Sequence, residues 1–398
     1  MMSNTVITDS VITKESLAIL HQKSTFLGTI NRQYDDSYAK SGAKIGSDLK
    51  IRLPNEFTVR TGAAIDVQDV SEKSVTMTLA TQKGVDFEFN SNELTMDIDR
   101  FKERYLEPAM SVLAAHIEND ALSMAKDVAN FYDGVSAADT FGNVTQAGKL
   151  LTDSLTPSSN RSILIPTQST VDVLSDTKGL FQEATAIAKQ YREGLLGRIA
   201  GFDFHESTLT PSHTTGTAVE GDTSYNVNGV GQSGTSVTVD GGTTTFLKGD
   251  IITFAGCNAV HPETKVSTGA LKRFVVTADS GGSATSLSVS PEIVLSGGGQ
   301  NVSAAPTDDG AVSKIGGGAS ATWQQDLAYH KDAFAFVSAD LVKPEGVDFC
   351  AREVMDGISM RIVRQYDITN DSFPCRIDVL YGYKTIRESQ AARIGHNS

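Results

Sequence analysis

The residues best suited to chemistry are a glycine-rich run and seven histidines. Residues 229–234 have the spacing Gly-x-Gly-x-x-Gly, which binds a dinucleotide when a strand precedes it and a helix follows it. Here the strand-like run 235–239 follows, which favours a glycine loop without a cofactor. The histidines never have the short spacing of metal ligands; they are His21, His116, His205, His213, His261, His330 and His396.

Other polar residues also fail to form a catalytic pattern. Ser233 lacks the spacing of a nucleophile elbow. His205 and Glu206 follow a strand-like run and could sit in a cleft, although a structural role is favoured. Residues 308–310 read Asp-Asp-Gly, which is typical of a turn, because the alternating acids of a calcium loop are missing. The sequence therefore predicts a protein that is not an enzyme and has neither a cofactor nor a metal site.

The composition excludes several classes of protein. The 398 residues predict about two to three domains. Hydrophobic residues make up 39% and charged residues 21%, which supports a sizeable core and excludes wholesale disorder. The net charge of −14 argues against a chain that coats nucleic acid with a basic face.

The cysteines and the start of the chain indicate where the protein is made. Cys257, Cys350 and Cys375 are far apart and odd in number, which fits neither a disulfide framework nor a zinc site and favours a reducing compartment. We see no signal peptide and no apolar run long enough for a transmembrane helix. We therefore expect cytoplasmic synthesis, with the product soluble or assembling there.

The strongest periodic signal lies in residues 97–133. Apolar residues recur at steps of three and four, which predicts one helix of more than 25 residues. Pro108 predicts a start or a kink near Leu106, and Gly134 predicts the stop. Such a helix would be the spine of the fold.

The segments before this helix have different patterns. Residues 1 to about 45 form a polar arm that we expect to be disordered or ordered only against a neighbouring molecule. Residues 48–90 alternate as strands do, which predicts a long β-ribbon. A two-stranded ribbon is marginal alone in water, so it must lie on something, and a partner subunit is a candidate.

A glycine-rich segment interrupts the rest of the chain. Residues 150–210 alternate short runs, which predict a buried strand at 161–166, helices at 167–175 and 179–191, and a turn and a strand at 197–204. Residues 211–322 contain 19 of the 35 glycines and several short strand-like runs, which predicts a small β-barrel or sandwich. After Trp323, which we expect to anchor the return, α+β character resumes. It begins with a predicted strand at 333–337 and ends in a strand at 376–383 and a polar tail at 387–398. The glycine-rich segment is thus predicted to be an insertion in an α+β domain.

Three runs in this order resemble a known family. They are Arg198-Ile199-Ala200-Gly201-Phe202-Asp203, Lys248-Gly249-Asp250-Ile251-Ile252-Thr253-Phe254-Ala255-Gly256 and Arg376-Ile377-Asp378-Val379-Leu380-Tyr381-Gly382-Tyr383. Together with the order of elements, they resemble the major capsid proteins of tailed phages with the HK97 fold, and most closely the phage P22 coat protein subgroup with an inserted β-barrel domain. The similarity covers nearly the whole chain.

The resemblance implies an α+β capsid fold. Residues 1–45 would be the N-terminal arm, 46–94 the E-loop and 95–150 the P-domain with the spine helix. Residues 151–210 would be the first part of the A-domain, 211–322 the inserted β-rich domain, and 323–398 the return through the A-domain and P-domain with a C-terminal strand and tail. One subgroup of the family joins lysine and asparagine side chains between subunits. Lys73 and Lys83 lie in the ribbon, but the more similar subgroup does not cross-link.

The resemblance also implies a function and partners. The chain would be the coat protein of a tailed double-stranded DNA phage, self-assembling into an icosahedral shell of hexamers and pentamers in the host cytoplasm. The implied partners are a scaffolding protein and a portal protein, with a decoration protein as a further candidate. The shell would enclose the DNA without sequence-specific binding, and no membrane would be involved. Two alternatives are a β-rich phage adhesin or decoration or tail protein, and an enzyme with a β insertion.

The candidate assembly and structural residues are apolar residues of the helix stripe, the ribbon and the return from the insertion. They are Leu106, Met110, Leu113, Ile117, Met124, Val128, Val75, Met77, Phe87, Phe89 and Trp323.

Overall fold

The computed structural model describes residues 13–14, 16–20, 24–35, 48–65, 67, 73–90, 106–177, 197–355, 357–370 and 372–397. Backbone contacts divide the chain into two units. The first contains Met1–Ile51, Ser74–Leu122 and Phe334–Lys384, and the second contains Arg52–Lys73, Ser123–Ala333 and Thr385–Ser398. The predicted helix over 179–191 lies outside the described residues.

The described residues form strands and helices with the following bounds. The helices are α1 (Phe26–Thr29), α2 (Glu107–Leu122), α3 (Phe141–Asp153) and α4 (Thr167–Thr177). The strands are β1 (Asn31–Asp35), β2 (Asp48–Arg52), β3 (Ser74–Thr78), β4 (Thr81–Asn90), β5 (Phe131–Gly134), β6 (Arg161–Ile165), β7 (Arg198–Ile199), β8 (Phe202–Glu206), β9 (His213–Thr214), β10 (Asn226–Val227), β11 (Gly234–Asp240), β12 (Ile251–Phe254), β13 (Asn258–Val260), β14 (Ser267–Leu271), β15 (Phe274–Val276), β16 (Ser286–Ile293), β17 (Val312–Ile315), β18 (Thr322–His330), β19 (Phe334–Ala339), β20 (Phe349–Met355), β21 (Ile358–Arg364), β22 (Ser372–Thr385) and β23 (Ala391–His396).

In the first unit, α2 forms where the apolar stripe predicts a helix. Pro108 occupies its first turn, where the missing N–H has no intrahelical partner to lose. The stripe is buried along the whole helix, and its buried apolar members are Met110, Leu113, Ala114, Ile117, Ala121 and Leu122. The predicted helix start near Leu106 is confirmed.

The helix is shorter than the stripe predicts. It ends at Leu122, tightens into a 3₁₀ helix over Ser123–Asp127 and gives way to strand β5 at Phe131. The prediction of one helix reaching residue 133 is therefore wrong. The reason is tertiary: β5 pairs in parallel with β23, with Phe131 opposite Arg393, and an aromatic residue on a half-buried surface favours a strand over a helix.

The N-terminal segment packs on its own chain. β1 pairs in parallel with β19, from Asn31 opposite Ala335 to Asp35 opposite Ala339. The buried Glu118 of α2 accepts hydrogen bonds from the backbone N–H groups of Thr25 and Phe26, at 2.9 and 2.7 Å. The described part of the arm thus obtains its order within the subunit, contrary to the expectation of disorder or order only against a neighbour.

The sheet of the first unit also gives part of the ribbon a partner. Its strand order is β1-β19-β22-β21-β20, and β4 pairs with β22. The β4–β22 pairing is antiparallel and runs from Thr81 opposite Tyr381 to Asn90 opposite Ser372. β2 and β3 form a separate two-stranded sheet. The predicted strands at 333–337 and 376–383 are confirmed by β19 and β22.

The second unit contains a seven-stranded sheet in the order β5-β23-β18-β6-β8-β7, with β9 also paired to β18. Helix α3 packs on it through Val144, Ala147 and Leu151, and the Thr140 side chain caps this helix by accepting from the Asn143 N–H. The strands predicted at 161–166 and 197–204 and the helix predicted at 167–175 are confirmed.

The prediction of a polar C-terminal tail is wrong for residues 391–396. These residues form β23, which lies between β5 and β18 and is buried at every position. Three small residues, Ala391, Ala392 and Gly395, allow the strand to fit between its neighbours. Gly395 has Phe131 and Val135 so close that a side chain there would clash with both.

The glycine-rich segment forms a six-stranded antiparallel sheet in the order β10-β11-β16-β15-β12-β17. Hydrogen bonds also join the two ends of this strand order. In β10, the Val227 N–H donates to the Gly310 C=O, and in β17 the Val312 N–H donates to the Tyr225 C=O, both at 2.9 Å. Its apolar core includes Phe246, Phe254 and Phe274. The strand predictions for this segment are confirmed.

Candidate functional site: buried polar clusters and an exposed apolar segment

The described residues contain no metal-binding cluster and no dinucleotide-binding turn. They hold no group of three or more His, Cys, Asp or Glu side chains that could bind a metal ion. The glycine-rich run 229–234 connects β10 to β11, so a strand follows it, as the sequence predicts. The Gln232 side chain orders this loop by bonding to the Asn228 C=O and to the Thr238 N–H, at 2.8 and 2.6 Å. In the described part of the chain, no helix is long and apolar enough to span a membrane.

The structure brings together a serine, a histidine and an aspartate that sequence analysis missed. Ser169 Oγ lies 2.9 Å from His396 Nε2 and 3.1 Å from Asp326 Oδ1, and Nε2 lies 3.1 Å from the same oxygen. A catalytic triad uses both ring nitrogens, one for the serine and one for the acid. Here both contacts fall on Nε2, and all three residues are fully buried, so the cluster is structural.

A second buried carboxyl group adjoins this cluster. Asp139 Oδ1 accepts hydrogen bonds from the Thr140 N–H and the Asn143 side chain, at 2.9 and 3.2 Å. Burial, followed by the neighbouring Asp326, raises the pKa of Asp139 to about 8. Burial also raises the pKa of Asp326 to about 7 and lowers that of His396. Two carboxyl groups in one buried site cannot both ionise without a large cost.

Arg393 connects the two sheets of the second unit. It lies on β23 and is fully buried, with Nε donating to the Val128 C=O at 3.0 Å and Nη2 to the Gly249 C=O at 2.9 Å. Its Nη1 donates to Gln325 Oε1 at 3.3 Å. Burial lowers the pKa of Arg393 to about 10, and the charge of Asp250 acts in the opposite direction. This guanidinium therefore ties the seven-stranded sheet to the start of β12.

The Asp250 carboxylate organises the adjacent loops. It is buried and accepts from His213 Nε2 at 2.8 Å, from the Gly216 N–H at 3.1 Å and from the Leu247 N–H at 2.9 Å. Burial lowers the pKa of His213, while the hydrogen bond to Asp250 raises it. Because His213 lies near the start of the glycine-rich segment, its hydrogen bond to Asp250 holds the start of the segment against the residue that precedes β12.

Trp323 lies where the chain leaves the glycine-rich segment. It is buried in β18, with its ring 5.1 Å from that of His213 and 6.2 Å from that of Phe131. Gly316 and Gly317 have positive φ angles and lie so close to Phe131 and Trp323 that side chains there would clash. The structure thus places Trp323 at the exit of the segment, opposite its entry at His213.

The other candidate residues divide between the two units. Of the helix stripe, Leu106, Met110, Leu113 and Ile117 are buried in the first unit, and Met124 and Val128 are buried in the second. Of the ribbon, Met77 is fully buried, and Val75 and Phe87 are half-buried. The side chain of Phe89 lies outside the described residues, although its backbone pairs with Phe373.

The segment between β2 and β3 has exposed apolar side chains. Val59 is 96% exposed, and Phe57, Ile65 and Val67 are also exposed. At the base of the segment, Lys73 Nζ lies 3.2 Å from Glu56 Oε2. The backbone of Glu56 also packs tightly on Gly298, where any side chain would clash with it. The segment is therefore held at its base and presents apolar surface to its surroundings.

Ribbon strand β4 is anchored by an aspartate of α2. Asp120 Oδ2 lies 2.7 Å from Lys83 Nζ and accepts the Tyr381 hydroxyl at 2.6 Å. Lys73 and Lys83 thus both pair with carboxylates of their own chain.

Replacing Tyr381 with phenylalanine is expected to cost about 1.5 kcal/mol of unfolding free energy, because a hydrogen bond to a charged group is lost while the ring remains. Denaturant unfolding of the unassembled chain measures this cost. The control is Tyr383→Phe on the same strand, whose hydroxyl has no hydrogen bond among the described residues. Equal stability of the two variants would contradict the anchoring role.

The three cysteines are free thiols. Burial raises the pKa of Cys257 to about 11 and that of Cys375 to about 12, and it also raises the pKa of Cys350. A raised pKa keeps a thiol protonated and unreactive, so these residues are structural.

Comparison with known families identifies the chain. The family model of the P22 coat protein (gene protein 5) matches residues 4–393. The chain belongs to the P22 coat protein family. The match includes the glycine-rich segment as well as the α+β segments on both sides, so this coat protein is not a separate β-rich adhesin. It is the major capsid protein of a phage and forms the shell, and its role is structural.

Solved structures similar to this coat protein come from phage capsids. A protein of Mycobacterium phage Che8 is 14% identical over 93% of this chain and 90% of that one, with a TM-score of 0.45. The mature capsid of bacteriophage PhiM1 is 12% identical over 94% and 87%, with a TM-score of 0.46. The CUS-3 coat protein I-domain is 28% identical over 23% and 96%, with a TM-score of 0.19. Among curated proteins, no match was found.

Proposed function

We propose that this coat protein forms the hexamers and pentamers of a closed icosahedral shell around the double-stranded DNA of a tailed phage. The observation that supports the proposal is the exposed apolar segment between β2 and β3, which contrasts with the buried apolar stripe of α2. Apolar surface on an extended segment gains free energy when a neighbouring subunit covers it. Many such contacts, each weak, add up in a shell.

The regions of the chain correspond to proposed roles in an HK97-type subunit. Residues 1–45 are the N-terminal arm and 46–94 the E-loop, which reaches over a neighbour. Residues 95–150 supply the P-domain, and 151–210 and 323–398 supply the A-domain and the return to the P-domain.

We assign residues 211–322 to an inserted β-barrel domain. The six-stranded antiparallel sheet supports this assignment, because the bonds from Val227 to Gly310 and from Val312 to Tyr225 link its two edges, and a sheet whose edges are joined has barrel form. The Arg393 and Asp250 contacts support a firm attachment to the seven-stranded sheet. In this proposal the insertion stabilises the subunit on which it is mounted.

The proposed partners follow from the same assignment. They are other copies of this chain, a scaffolding protein and a portal protein, with a decoration protein as a further candidate and assembly in the host cytoplasm. The DNA is enclosed without sequence-specific binding. A net charge of −14 supports this, because an acidic wall does not trap the genome.

Replacing Val59 with glutamate is expected to leave the subunit folded but to reduce shell formation at least tenfold. Val59 is 96% exposed, so the charge costs the isolated subunit little, whereas burying it in an interface between subunits is expensive. Far-ultraviolet circular dichroism of the subunit and electron microscopy of the assembly reaction measure the two effects.

The matched control is Val59→Ile, which keeps an apolar side chain and should assemble normally. Wild-type yields of shells from Val59→Glu would show that this segment does not contact a neighbour and would remove the main support for the E-loop assignment.

A further inference from the structure

Four buried polar side chains meet beneath the helices of the seven-stranded sheet. Asp326 comes from β18, His396 from β23, Ser169 from α4 and Asp139 from the loop before α3. Asp326, His396 and Ser169 are 0% exposed and Asp139 is 2% exposed. The cluster therefore joins three secondary-structure elements and a loop at a point that bulk water does not reach.

In the described part of the chain, the hydrogen bonds of the cluster leave one oxygen of each carboxyl group without a donor. Among the described residues, Oδ2 of Asp139 and Oδ2 of Asp326 are buried and have no donor. The two carboxyl groups are neighbours, because a side-chain hydrogen bond with Asp326 and the charge of Asp326 both contribute to the raised pKa of Asp139. If one carboxyl group carries a proton, it becomes the donor that the other lacks. If both are ionised, two negative charges face each other without solvent.

The charged groups around the cluster do not compensate for a second negative charge. None of the ion pairs in the described part of the chain joins a lysine or an arginine to Asp139 or Asp326. The other titratable group that faces the cluster is Asp172 of α4, whose negative charge acts on His396. His396 Nδ1 is buried without a partner among the described residues, which favours a neutral ring with its proton on Nε2, donating to Asp326.

We propose that Asp139 and Asp326 form a proton-dependent clasp that stabilises the C-terminal strand β23 on the seven-stranded sheet and makes the stability of the second unit depend on pH. The proton shared by the two carboxyl groups closes the clasp. Loss of that proton at alkaline pH puts two adjacent negative charges beneath α3 and α4, and their mutual repulsion destabilises the site that holds the end of the chain.

The sign of the pH dependence follows from where the protons bind. The pKa values of Asp139 and Asp326 lie at about 8 and about 7, so the native pair keeps at least one proton up to about pH 8, whereas an unfolded aspartate loses its proton near pH 4. The native state therefore holds protons that the unfolded chain has released. Stability from the clasp is complete below about pH 4 and is lost as the pH rises to about 8. The lowered pKa of His396 acts in the opposite direction, but only below its ordinary value of about 6.5.

Unfolding of the unassembled full chain between pH 6.5 and 8.5 tests the clasp. Trp323 is the only tryptophan and lies in the same sheet, so its fluorescence reports on this unit. We expect the unfolding equilibrium constant of the wild type to rise with pH, by up to about tenfold per pH unit for each proton that the native state retains. In Asp139→Asn the slope should fall to half or less, because the amide keeps an acceptor and adds a donor but does not titrate. In Asp153→Asn, where the aspartate is exposed at the end of α3, the slope should equal that of the wild type.

Infrared spectroscopy of the wild type gives a second readout that does not depend on the variants folding. A protonated carboxyl band that titrates between pH 7 and 8 is expected, and Asp326→Asn should reduce its intensity, while Asp139, which stays buried, retains part of it. Absence of that band at pH 6.5, or equal pH slopes for the wild type and Asp139→Asn, would overturn the proposal.

Discussion

Replacing Ile117 with aspartate is expected to prevent the coat protein from accumulating as a soluble folded chain. Ile117 is only 1% exposed and lies in the middle of the buried stripe of α2. A carboxylate there would lose its hydration without gaining a partner, at a cost of several kcal/mol. Because domains are stable by only about 5–15 kcal/mol, such a cost removes most of the folding free energy of the first unit. Soluble yield and circular dichroism measure the result.

The matched control for this substitution is Val112→Asp on the same helix. Val112 is 55% exposed, so its replacement should leave yield and helicity near those of the wild type. If both variants fold equally well, the buried face of α2 is not the one that the structure shows.

Replacing Arg393 with leucine is expected to cost about 3–5 kcal/mol of unfolding free energy in the second unit. The substitution leaves the carbonyl groups of Val128 and Gly249 without their donors, and it removes the positive charge nearest to Asp250. Both losses occur in a site without water, where an unpaired polar group is expensive. Denaturant unfolding followed by Trp323 fluorescence measures the loss.

Arg198→Leu is the control for the loss of a guanidinium as such. Arg198 pairs with Asp203 at 3.3 Å on the same sheet, but its side chain is 53% exposed, and exposed ion pairs contribute less than about 1 kcal/mol. A loss below 1 kcal/mol in Arg393→Leu would mean that the two sheets of the second unit do not depend on this arginine.

Local patterns in the sequence are enough to predict the elements that are marked by apolar runs and by glycine or proline at their ends. The strands of the glycine-rich segment were predictable because apolar runs are separated by glycine-rich turns. The start of α2 was predictable because Pro108 suits a first helical turn. The match to a coat protein family was predictable from the order of three short runs along the chain.

The errors have a common physical cause, which is pairing with a distant strand. The residues after Leu122 continue the helical stripe, yet Phe131 becomes part of a strand because β23 offers backbone partners. The sequence predicts a polar tail at the position of β23 because Arg393 and His396 make this run polar. Both are buried nonetheless, since carbonyl groups and the Asp326 carboxylate satisfy them.

The polar clusters could not be predicted, because their members are far apart along the chain. Ser169 and His396 are separated by 227 positions, and Asp139 belongs to a loop with no motif. One signal was available: the charged residue Asp326 lies within the strand-like run that forms the buried part of β18, and a buried polar residue requires a partner. The identity of that partner depends on the fold.

Negative-stain electron microscopy tests the shell-forming role most directly. The coat protein would be purified after expression alone and after expression together with the genes that neighbour its own. The account predicts closed shells or tubular polymers of this chain under at least one of the two conditions. Monodisperse monomers or small oligomers under both conditions would contradict it.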